Sequence, residues 1–148
     1  MSGEVSLIEA HDGRVSVVGI RPYGEAVVVF SELAAFHEIG RERYEVRLHP
    51  ARLLCHGVHG LTLQGELAKN DYVSDGQVLE SSGASVRWEK LRGRRAVNLV
   101  QLQFGSGMEL RIQCREAELS LEGEGQFLEV WEGPLQSRVS FGARTHRD

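Results

Sequence analysis

The chain has 148 residues, a formal charge of −4, 41% hydrophobic and 26% charged residues. This length fits one domain with its own core, and the composition excludes a wholly disordered chain. The mildly acidic balance argues against a dedicated nucleic-acid binder, whose footprint is a basic domain with clustered Lys and Arg.

The opening residues Met1 to Asp12 lack a basic start followed by an apolar core of ~7–15 residues, so no secretory signal is expected. No apolar stretch approaches the ~20 residues needed to span a bilayer. A cytoplasmic chain without a membrane partner is the expectation. Arg14–Ile20 and Glu25–Phe30 are β-branched runs joined by Arg21-Pro22-Tyr23-Gly24, with Pro preset for the first corner of a turn, and together they predict a hairpin. The second run is apolar on both faces and is expected to lie centrally. Ser31–Gly40 carries a helical pattern, with Ser31 as N-cap and Gly40 as stop.

Tyr44, Val46 and Leu48 alternate with Glu45, Arg47 and His49, which predicts a half-exposed strand ended by Pro50, followed by a helical turn over Ala51–Leu54. Leu61, Leu63, Gly65 and Leu67 mark the inner face of another strand, with a bulge or close backbone approach at Gly65. Ala68–Ala84 is rich in turn signals, interrupted by a short strand at Gln77–Glu80.

From Ser85 to Trp131 the chain alternates apolar and polar residues between glycine turns, the pattern of a β-meander. Phe104 and Met108 flank Gly105-Ser106-Gly107, which places Val100, Leu102, Phe104, Met108, Leu110 and Ile112 on one face. Cys114 and Ala117 flank Arg115-Glu116 in the same way, predicting a further hairpin that keeps Leu119 and Leu121 on that face. The apolar phase shifts between Leu99 and Val100, as at a bulge. Cys55 and Cys114 have no CxxC neighbour and lie among apolar residues, so two reduced, buried thiols are expected. The whole reads as a single all-β domain over residues 1–134 with a flexible tail over 135–148. Its form is an antiparallel β-sandwich or flattened up-and-down barrel of about eight to ten strands with at most one short helix.

Two clusters point to chemistry. His49, His56 and His59, with Glu66 on the following strand, are residue types that hold zinc or iron with an open position for water or substrate. Between Arg87 and Arg95 five basic residues meet one acid, whereas seven glutamates meet two arginines from Glu109 to Glu132. The basic tip Arg92, Arg94 and Arg95, with Trp88 beside it for stacking, is a candidate for an anionic ligand or an acidic partner. Gly105-Ser106-Gly107 and Gly123-Glu124-Gly125 read as turns, because neither has the strand-to-helix context of a nucleophile elbow or a pyrophosphate loop. His11-Asp12 and His37-Glu38 read as surface pairs, and Trp88, Trp131, Tyr44 and Phe127 as core or core-edge packing.

The expected function is non-catalytic recognition of a protein or a small molecule, with a homodimer as one form of that reading and no cofactor. The alternative is a metal-dependent β-barrel enzyme in which His49, His56, His59 and Glu66 hold a divalent metal.

Overall fold

A computed structural model describes residues 4–66, 68 and 71–136. Ten strands form two antiparallel sheets, bearing out the all-β sandwich expectation. In the first sheet β1 (Val5–Arg21), β2 (Glu25–Gly40), β3 (Arg43–His56), β9 (Glu116–Leu121) and β6 (Arg95–Ala96) lie in that order, and β10 (Gln126–Glu132) also pairs with β3. In the second the order is β4 (Gly60–Gln64), β8 (Glu109–Gln113), β7 (Leu99–Phe104) and β5 (Val73–Leu79). The expected tail falls mostly on residues 137–148, outside the described residues.

The segment Ser31–Gly40 is strand throughout, not helix. It pairs on one side with β1 and on the other with β3, so its backbone groups are satisfied across two ladders. The helical pattern has a specific origin. A bulge between Phe30 and Leu33 puts residues three apart on the same face, and beyond it Phe36 packs into a separate cluster on the opposite face. Pro50 likewise does not end β3, and Ala51–Leu54 continue the strand. Pro50 lies opposite the β2 bulge and between the stretches of β3 that pair with β10 and with β9, so no ladder needs the N–H it lacks.

The main core lies between the sheets. Phe30, Leu33, Leu53, Leu102, Leu110, Ile112 and Leu119 are fully buried there, and the whole predicted face from Val100 to Ile112 points into it. A 3₁₀ turn at Trp88–Arg92 leads into the basic tip and drives Trp88 and Leu91 into this core, where Trp88 meets Phe30 edge-on at a centroid distance of 6.3 Å. Leu63 on the edge strand β4 is half exposed rather than inward-packed.

Arg115-Glu116 is a crossing between sheets rather than a hairpin, since β8 pairs with β4 and β7 while β9 pairs with β3 and β6. The Arg115 N–H donates to the carbonyl of His56 at 2.9 Å, which carries the chain from one sheet to the other. The phase shift near Leu99 has the same cause. β7 pairs with β5 without a bulge at Leu99–Val100, and Val97 belongs to the crossing from β6. Cys55 and Cys114 are buried free thiols, and the hydrogen bond that Cys55 gives Cys114 holds the Cys55 proton firmly, pushing that thiol up and the Cys114 thiol down.

One buried acid fastens the β7–β8 turn. The Asp71 carboxylate accepts from the Ser106 N–H at 3.3 Å, from the Ser106 hydroxyl and from the Tyr72 N–H at 3.0 Å. Asp71→Ala leaves these donors without their acceptor and should lower the unfolding free energy by about 1–3 kcal/mol in urea titrations. An unchanged midpoint would show that the turn holds without it.

Candidate functional site

The two sheets differ in length. Strands β1, β2 and β3 run for 17, 16 and 14 residues, whereas β4, β5, β7 and β8 have five to seven. At ~3.3 Å per residue the second sheet covers less than half of the first. β1 bends on its way along that length. Its register shifts between Glu9 and Arg14, and the bend brings Gly13 so near the Ala10 carbonyl that a Cβ would lie 2.9 Å from that oxygen. Arg14 then bridges to Tyr72 beside the second sheet.

Beyond the sandwich, both faces of the long sheet need their own cover. On the outer face Leu7, Phe36, Tyr44 and Val46 form a second apolar cluster, against which Trp131 and Leu135 pack. This reverses part of the expected pattern: Tyr44 and Val46 lie on the face away from the main core, and His49 shares the inner face with Ala51, Leu53 and Cys55.

The inner face of the extension carries His37 from β2 with Glu45, Arg47 and His49 from β3, placed side by side by the register His37↔Glu45, Ala35↔Arg47 and Leu33↔His49. His37 and His49 are only 3% and 2% exposed, and their Nε2 atoms are 2.8 Å apart. One nitrogen must donate and the other accept. The His49 Nδ1–H points at the carbonyl of Glu122 at 3.4 Å, so in the neutral ring Nε2 is the acceptor and His37 donates through its own Nε2–H.

The loop after β9 closes over this pair. The Glu122 N–H donates to the Pro50 carbonyl at 2.8 Å, and Arg47 Nε–H donates to the Glu124 carbonyl at 2.7 Å while its guanidinium also pairs with Glu45. Gly125, at φ +74°, packs against the His49 ring so closely that a Cβ would come within 2.9 Å of it. The loop leads directly into β10. Among the described residues β10 pairs with β3 alone, which leaves its other edge free. Phe127 and Leu128 are each 52% exposed and Val130 42%.

The four residues expected to hold a metal are spread out. His49 and His56 lie on opposite faces of β3, about 20 Å apart along the strand. His56 is held between two carboxylates, Nδ1 to Glu25 at 3.2 Å and Nε2 to Glu118 at 3.0 Å. His59 is exposed beside the Gly57 carbonyl, and Glu66 is exposed past the end of β4. Among the described residues no group of three or more His, Cys, Asp or Glu is arranged to hold a metal ion.

The basic tip is distributed in a similar way. Arg94 binds Glu116 through Nε and Nη2 at 3.0 and 2.7 Å, Arg95 lies 3.6 Å from Glu80, Arg92 is exposed, and Trp88 is buried in the core. What sequence reasoning missed is the pair His37–His49, with Glu45, Arg47 and the β10 edge. The signal was available in Gly40-Arg41-Glu42-Arg43, a turn that pairs β2 with β3, but the helical pattern of the preceding ten residues concealed it.

Burial, aided by the neighbouring His37 and Arg47, holds His49 below its ordinary 6.5, while the Glu122 and Gly123 carbonyls pull the other way. Stability from this ring is complete above pH 6.5, where it is neutral folded and unfolded. It is lost as the pH falls below that value, because the unfolded chain takes up the proton first. Urea midpoints measured from about pH 7.5 down to about pH 5 should fall, and less so in His49→Gln. Identical slopes would remove His49 from the account. Comparison with protein-family models, with curated proteins and with solved structures found no match to this chain.

Proposed function

We propose that this chain is a non-catalytic recognition domain that receives an extended protein segment as an added strand on the free edge of β10. The observation that carries the reading is the combination of a strand edge unpaired among the described residues with three exposed apolar side chains, Phe127, Leu128 and Val130. An edge strand presents a row of unused N–H and C=O groups that a second strand can satisfy, and side chains at alternate positions add specificity.

The surroundings support this reading. β10 is held rigidly along its other edge by β3, and Trp131 is packed between Phe36 and Tyr44 at centroid distances of 6.1 and 6.2 Å. The edge is therefore preorganised, which lowers the ordering cost of binding. Phe127 and Val130 pair with Arg47 and Glu45, so both stand on the inner face above the histidine pair. A partner strand would place its own apolar residues beside them.

Panning a random library of short extended peptides against the full chain should enrich binders that lose affinity for the double variant Phe127→Ser, Val130→Ser. Surface substitutions of this kind move stability by only about 0.5 kcal/mol, so the melting temperature should stay close to that of the parent. Binders indifferent to the double variant, but lost with Arg92→Ser, Arg94→Ser and Arg95→Ser together, would move the recognition surface to the basic turn.

A further inference from the structure

The free edge of β10 is acidic as well as apolar. Glu122, in the loop before the strand, and Glu132, at its end, are engaged by Arg52 and Arg43, each at 3.1 Å. Glu129 on the strand and Glu124 in the loop just before it are exposed, and among the described residues neither carboxylate has an ion-pair partner. The faces also separate by chemistry. The register with β3 puts Phe127 and Val130 on the inner face, with Arg47 and Glu45, and Glu129 on the outer face, with Val46.

We propose, resting on the strand-addition reading above, that the segment received by β10 alternates apolar and basic residues. Its apolar side chains lie on the inner face beside Phe127 and Val130, and its Lys or Arg side chains lie on the outer face beside Glu129. The same charges disfavour a second copy of this chain as occupant. Two β10 strands paired antiparallel about their shared midpoint set Glu129 against Glu129, and like charges directly opposite destabilise a ladder. The irregularity between Phe127 and Glu129 interrupts that symmetric pairing further.

The test uses capped peptides of about six to eight residues, one alternating valine with lysine and one alternating valine with glutamate, titrated against the full chain by fluorescence anisotropy. One cross-strand pair at Glu129, with Glu124 just before the strand adding a flanking attraction, predicts binding of the lysine peptide that is tighter by roughly two- to tenfold, a difference that shrinks with added salt. The double variant Glu124→Lys, Glu129→Lys should reverse the preference while remaining folded, because both side chains are exposed. Equal affinity for the two peptides would overturn the charge assignment and leave strand addition standing. Failure of both peptides to bind, or binding untouched by Phe127→Ser, Val130→Ser, would overturn strand addition itself. A homodimer in sedimentation experiments that dissolves in the same double variant would assign the edge to a second copy and overturn the proposal.

Discussion

The structure depends on the register of β2 between β1 and β3. Nearly all of β2 faces a neighbour on one side or the other, and its bulge after Phe30 decides which side chains of the far half point inward. A slip of one residue would exchange the two faces of that half, exposing Phe36 and Leu33 to the wrong layers and moving His37 out of reach of His49. The second sheet, the outer cluster around Tyr44 and the loop over the histidines are all placed by this one set of pairings. Pro50, lacking a donor, sits where the pairings on both sides already lapse, so the irregularities of three strands coincide at one level of the sheet.

The length mismatch between the sheets explains why two imidazoles are buried. A sheet that projects past its partner must cover two faces with few residues. On the outer face aromatic and aliphatic side chains do this, whereas on the inner face the cover is a short loop whose backbone carbonyls and N–H groups need polar partners. Histidine suits that position, because the neutral ring supplies one donor and one acceptor, and two such rings can satisfy each other while each faces the loop or the strands around it. The arrangement suits a neutral His49, because burial disfavours a charge on that ring.

Much of the fold was legible because its signals were local. Alternation over Val100–Ile112, the glycine turn at Gly105–Gly107 and the proline turn at Pro22 each specify a hairpin within a few residues. The parts that were not legible depended on partners far away in sequence. Leu33 and Phe36 look like one face of a helix until the bulge and the second apolar cluster are known, and Cys114 to Ala117 looks like a hairpin until β9 is seen to pair with β3. The three histidines drew attention by proximity in sequence, but strand periodicity and the exit from β3 send them to three environments. His37, twelve residues from His49, became its neighbour only through the β2–β3 turn. The free edge of β10 was illegible for a different reason: its alternation looked like ordinary core packing, and only the topology shows that among the described residues it pairs with β3 alone.

The pairing of β3 with strands from the far end of the chain has a consequence for biosynthesis. β1, β2 and β3 are joined by tight turns and can assemble as soon as they leave the ribosome, but the edge of β3 waits for β9 and β10, sixty or more residues later. β4 similarly waits for β8. Such non-local closure is slow relative to hairpin formation, and until it is complete the nascent chain presents a long, apolar, unpaired strand edge. The interval between synthesis of β3 and docking of β9 and β10 is therefore the period in which the edge of β3 is open to pairing with other chains.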